Sequence, residues 1–378
     1  MGHTSLRLGV QQISGAAALV TLEGAVTAEA EAALVEAMEH AAGRGARSLL
    51  FDLSRVPGID SGGASALVKL WATAKRRGVR LFAAAPDAGI REILELTQLS
   101  EAVPVFDKPD LALSAMGVAA GSVPPGEVRT TEVTRDETLG TNRGSVVYWS
   151  KPVKKLRVTR MPGAVTGLTV AGRRPVGPVK GFGQMWEKTY ELRIADAKKT
   201  PFEIAAIMKE NFVGFQPRQN KFYPSPAGIV AGETVLIKSS TMGIPIYTGV
   251  LTSYADDVSF TFMTPQGHPE SGWVTFRVFK EAGQTVCQIQ GLARANDPVF
   301  EAAFRLHGSK FQEQIWKHVL ASLGRYLGVN APVTMKKRCI APDLHWGQAV
   351  NIWYDAQIWT LVYILLWPAR RIAGIFKK

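Results

Sequence analysis

Two stretches of this sequence combine residue types suited to chemistry. The first is Asp60-Ser61-Gly62-Gly63, set between the apolar run SLLFDLS and a helical stretch whose Leu67, Leu70, Trp71 and Ala74 share a face. Ser61 there falls at a helix N-terminus, where free backbone N–H groups and the helix dipole favour negative charge. A phosphate on it would add roughly -1.5 to -2 charges and three acceptors, enough to switch a docking surface, with the kinase supplied from elsewhere. Asp60 and Ser61 equally suit ordinary N-capping, worth about 1 kcal/mol. The second stretch holds His268 and Glu270, two apart on a turn around Pro269. They form an acid/base pair if a substrate reaches them, and hydrogen-bonded scaffolding if none does.

Other chemistries are disfavoured. Cys287, Cys339 and the six histidines show no C-x-x-C or H-x-x-x-H spacing, so no metal is expected. GFGQMW at Gly181 follows no clear strand and lacks the lysine of a phosphate-binding loop. No G-x-S-x-G elbow occurs, and no cofactor is expected. Two cysteines in 378 residues, and an N-terminus without an apolar secretory core, point to the cytoplasm.

The elements that must position these residues fall into two blocks. A chain of this length with 46% hydrophobic content has material for two cores, since single cores stop growing at about 250 residues. Residues 1–116 hold 11 Lys and Arg against 13 Asp and Glu, so of the net +12 the remainder carries +14. Apolar runs and helical stretches alternate from Ala17 to Ala85, the pattern of an α/β layer. Residues 117–150 are rich in Gly, Pro, Thr and charge and read as a flexible linker. Residues 151–330 open with a basic extension and continue with alternating strands: Val258, Phe260 and Phe262 against Ser259, Thr261 and Met263, then Trp273 to Phe279 before a turn at Lys280 to Gly283. Their closing helix carries Phe311, Ile315, Val319, Leu323 and Tyr326 on one stripe. A long helix laid over a bent antiparallel sheet leaves room for an apolar ligand.

The run from Leu49 to Phe106, including IDSGG, AKRRGVRL and ILELTQLSEAVPVFD, resembles the STAS domain of bacterial anti-sigma factor antagonists over about the first 115 residues. The resemblance implies an α/β domain with a mixed sheet and helices, and a protein partner such as an anti-sigma factor. In that family the second hydroxyl of an Asp-Ser-Ser-Gly or Asp-Ser-Thr-Gly turn is phosphorylated. Here that position is Gly62, which cannot accept phosphate, so Ser61 is the remaining acceptor candidate. Residues 184–328 resemble helix-grip proteins of the START and polyketide-cyclase superfamily, through the GHPESG turn, the hairpin after it and an Arg-x-x-x-Pro step from Arg294 into the last helix. That implies an α+β domain, a curved antiparallel sheet plus a long C-terminal helix, around a site for a lipid or another apolar small molecule. His268, Glu270, Trp273 and Arg294 are its ligand-binding candidates; Trp273 stands where the family usually has an acidic residue.

Residues 331–378 form a basic, aromatic tail. Trp359, Tyr363 and Trp367 frame an apolar stretch of ten residues, followed by Arg370 and Arg371. Spanning needs about twenty residues, so this tail is expected to lie in a membrane interface, at the inner face, or to dock on protein. Nucleic acid ranks below these partners, because no recognition helix or stacking module accompanies the positive charge. The combined expectation is a non-enzymatic regulator joining a STAS interaction module to an apolar-ligand domain. The alternatives are a lipid carrier with a STAS adaptor and a cyclase- or hydrolase-type enzyme using His268 and Glu270.

Overall fold

The computed structural model describes residues 4–118, 128–134, 144–158, 167–241 and 244–375. The N-terminal unit runs β1 (Thr4–Ser14), β2 (Ala17–Gly24), α1 (Glu31–Gly43), β3 (Ser48–Arg55), α2 (Ser61–Arg76), β4 (Arg80–Ala84), α3 (Ala88–Leu96), β5 (Val105–Phe106) and α4 (Pro109–Ala115). Its sheet has the order β5-β4-β3-β2-β1. The β1/β2 pair is antiparallel and the others are parallel, so the sheet is mixed. Leu49, Leu50 and Phe51 of β3 are buried on both faces, as a central parallel strand requires. β6 (Arg129–Thr134) adds to the free edge of β1, inside the stretch expected to be a linker. Its sequence RTTEVT has no apolar run because backbone hydrogen bonds, not a buried face, hold an edge strand.

The second unit contains β7 (Pro175–Val176), β8 (Met185–Ile194), α5 (Pro201–Glu210), β9 (Asn220–Tyr223), β10 (Thr234–Thr241), β11 (Ile244–Ala255), β12 (Ser259–Pro265), β13 (Glu270–Glu281), β14 (Gln284–Ala295), α6 (Pro298–Ala303), α7 (Ser309–Tyr326), β15 (Val333–Ala341) and α8 (Ala356–Ile375). Its strands lie in the antiparallel order β15-β8-β14-β13-β12-β11-β10-β9, with β7 on β12. The β13/β14 hairpin turns through Ala282 and Gly283, both at positive φ (48° and 79°), as a tight two-residue turn demands. On α7, Ile315, Val319 and Leu323 are buried as the stripe requires, whereas Tyr326 at its end is 57% exposed; the Phe311 side chain lies outside the described residues. β15 belongs to the stretch expected to be a tail and extends the sheet beyond β8.

Both faces of this second sheet are covered. On one face Tyr190, Phe260, Phe262, Phe276 and Val278 pack with α5 and α7. Phe212 stands at its centre, edge-on to Phe222, Phe260, Phe262 and Phe276. On the other face Met185, Leu251, Met263, Trp273 and Leu292 join the core of the N-terminal unit in one continuous apolar cluster. The sheet is therefore a shared wall between the two units.

Candidate functional site

A cavity of about 840 Å³ lies on the α7 side of that wall, bordered also by α6 and α8. Strand alternation on β8 aims Trp186, Lys188 and Tyr190 at it. His268, Glu270, Trp273 and Arg294 all contribute to its border. The Trp273 indole, however, turns to the opposite face of the sheet, where it bonds Ser65, so not every candidate side chain is aimed into the cavity. Lys188, Tyr190 and Gln312 are added by the fold. Lys188 and Tyr190 left a trace in the sequence, because MWEKTYELRI sets Lys188 between two aromatics of the same strand face.

Gln312 of α7 links the two charged groups. Its Nε2 donates to Glu270 Oε2 at 2.5 Å and its Oε1 accepts from Lys188 Nζ at 2.8 Å. Burial pushes the Glu270 carboxyl up and the Lys188 ammonium down, each effect opposed by the charge of the other. His268 Nδ1 accepts from the Glu270 backbone N–H at 3.0 Å, and burial lowers the ring to about 4. The imidazole is thus neutral and tied to the backbone of Glu270, not to its carboxylate, an arrangement suited to holding the turn. Tyr190 is fully buried, and its hydroxyl has no hydrogen-bond partner among the described residues. Burial raises its pKa, with the Glu313 and Glu270 charges adding to the effect, so the phenol remains a donor. Thr248 Oγ1 and Arg294 Nε, which also border the cavity, likewise have no partner among the described residues. A largely apolar chamber with a few unused donors fits an apolar molecule that carries acceptor oxygens. Arg294 is a strut: its Nη1 donates to the carbonyls of Gly183 at 2.8 Å and Asp343 at 3.0 Å, and burial lowers it to about 10.

Across the wall lies the Asp60-Ser61-Gly62-Gly63 turn. Asp60 Oδ1 accepts from Gly63 N–H at 2.7 Å, which is the capping geometry. Ser61 is only 3% exposed, so a kinase cannot reach it in this arrangement. The turn is covered by the chain around Gly144 and by Trp149, whose indole N–H donates to the Ile59 carbonyl at 2.6 Å. Further along α2, Ser65 Oγ accepts from the Trp273 indole at 2.8 Å. Lys69 meets both Glu31 of its own unit and Glu187 of β8, and Arg338 of β15 bonds the same two carboxylates at 2.5 and 3.0 Å. Burial opposes the Glu31 charge, but Lys69 and Arg338 outweigh it and hold the carboxyl below its usual range.

The tail residues lie apart from the polar cluster. Trp359 is 41% exposed on α8 and Tyr363 is half-buried; Trp367, Arg370 and Arg371 fall on the same helix, with side chains outside the described residues. Among the described residues no group of His, Cys, Asp and Glu could hold a metal ion. Cys287 is buried, which pushes its thiol up to about 12 and leaves it unreactive.

Among solved structures, an anti-sigma factor antagonist from Mycobacterium paratuberculosis is 26% identical, covering 29% of this chain and 93% of its own, with a TM-score of 0.26. A Thermus thermophilus protein is 13% identical over 37% of this chain and 96% of its own, TM-score 0.30. The di-domain ARO/CYC protein of the steffimycin biosynthetic pathway is 9% identical over 38% of this chain and 51% of its own, TM-score 0.31. No curated protein matches the chain. Residues 8–112, which carry the mixed sheet and the Asp60 to Gly63 turn, match the family model of the STAS domain.

Proposed function

We propose that this chain is a non-enzymatic regulator in which an apolar ligand, held in a helix-grip type of cavity, controls how available the STAS domain is to a protein partner of the anti-sigma factor kind. The observation that carries the reading is the alternation along β8. Trp186, Lys188 and Tyr190 border the cavity, and Glu187 between them bonds Lys69 of α2. A ligand that shifts β8 on one face moves the anchor of α2 on the other. A partner that needs α2 competes with the second unit for it.

The test is native mass spectrometry of the protein purified gently from its own cells, followed by hydrogen exchange of the full chain before and after the bound molecule is stripped. Faster exchange of the Ser61–Arg76 amides in one of the two states is expected. Unchanged exchange there, with a molecule clearly bound, would leave a carrier with a passive STAS adaptor. The enzyme reading requires turnover of that molecule lost on both His268→Ala and Glu270→Ala in folded protein.

A further inference from the structure

The chain after Arg338 ends in a surface that the cavity and the STAS domain leave uncovered. A 3-10 helix at Trp346–Tyr354 and α8 present Trp346 (71% exposed), Val350 (61%), Trp353 (76%) and Leu365 (77%), with Leu361 and Val362 beside them. α8 is fixed at its start: Ala356 and Thr360 are buried, Asp355 caps it, and Gln357 Nε2 donates to the Pro245 carbonyl at 3.1 Å. Beyond Thr360, apolar side chains are exposed around the helix, not along one stripe. Residues 346–378 contain a single acid, Asp355, which is fully buried in the cap, against Arg370, Arg371, Lys377 and Lys378. No helix among the described residues is long and apolar enough to cross a membrane.

We infer that this surface docks on an anionic lipid bilayer, with the mouth of the cavity turned toward it. Exposed tryptophans beside an apolar helix, in a segment whose sequence carries Arg370, Arg371, Lys377 and Lys378, match a headgroup interface, where aromatic rings favour the boundary and cations favour lipid phosphates. The mouth is placed by Ile358 and Leu361, which both border the cavity and are 42% and 43% exposed, so α8 forms its rim. Resting on the cavity reading above, this makes the ligand a molecule that partitions into membranes and enters past α8.

The test is flotation of the full chain with vesicles of phosphatidylcholine, alone or mixed with phosphatidylglycerol. The protein is expected to float with the mixed vesicles, and less with the neutral ones or at high salt, its tryptophans quenched by brominated acyl chains. The double variant Trp353→Ser, Leu365→Ser, at exposed positions that folding does not need, is expected to bind about tenfold more weakly. It should also slow transfer of a fluorescent fatty acid from vesicle to protein without changing its uptake from water. Absence of flotation, or flotation indifferent to the two substitutions, overturns the proposal. So does a dimer in sedimentation that the same substitutions dissociate while the wild type stays off vesicles, because a second copy then covers the surface. Flotation with no fatty-acid uptake supports docking and defeats the cavity reading instead.

Discussion

Asp355 shows how a single buried carboxyl reports on its surroundings. It is fully buried, and its Oδ1 accepts from the backbone N–H groups of Gln357 at 2.7 Å and Ile358 at 3.0 Å, while Oδ2 has no partner among the described residues. Burial raises its pKa to about 6; the Ile358 N–H pulls it down and Asp297 pushes it further up. The folded pKa lies above the unfolded one, so the folded state binds more protons and stability grows as pH falls through 6. Between about pH 7 and pH 5 this amounts to about 1 kcal/mol. Asp355→Asn keeps an acceptor for the cap and cannot titrate. Denaturant unfolding is therefore expected to show the wild type gaining about 1 kcal/mol on the variant over that interval, whatever their difference at pH 7. A difference that stays constant with pH would mean the carboxyl is solvated. At this scale the sequence was partly legible. His268 and Glu270 stood out because a turn concentrates polar residues, whereas Gln312, forty-two positions beyond Glu270 on a helix, has no local mark of its partners.

At the scale of elements, the start of α2 explains the departure from the phosphorylatable turn. A Cβ on Gly62 would lie 2.5 Å from the Ala28 Cβ and 3.0 Å from its Cα, and one on Gly63 would lie 2.1 Å from the Val26 carbonyl oxygen. The first turn of α2 is pressed onto residues 26–28, and only glycine permits that approach. Gly62→Ser is therefore expected to destabilise the protein by about 1–3 kcal/mol, read as a lowered melting midpoint, and to leave the new hydroxyl unphosphorylated in kinase-treated folded protein. A variant as stable as the wild type would show that α2 can move off residues 26–28 at no cost. The strands and helices of both units were legible wherever an apolar period ran for several residues. β6 and β15 were not, because RTTEVT and VTMKKRCIA carry little apolar period and exist by backbone pairing to β1 and β8. Nothing in a strand's own residues names the edge it will join.

The whole molecule differs from two beads on a linker because its units share apolar and charged contacts. Trp273 and Leu292 of the second sheet belong to the same buried cluster as Leu6 and Val20 of the first. Lys69, Glu31, Glu187 and Arg338 form a balanced four-charge group across the boundary, with the Lys69 side chain 5% exposed. Such complementarity pairs residues more than a hundred positions apart and cannot be read from either partner alone. Its consequence is cooperativity: opening the boundary exposes apolar core and strands buried charge, so neither unit gains by unfolding first. Calorimetry of the wild type is expected to give one transition. Lys69→Met leaves Glu31 and Glu187 with Arg338 as the remaining cation of the group, and removing one partner of a buried pair costs about 3–5 kcal/mol. The loss falls on the boundary, so the variant is expected to melt in two steps, with hydrogen exchange rising first along α2 and at Trp273. Two separated transitions already present in the wild type would show that the shared wall does not couple the units, and the route from cavity to STAS domain would fail with it.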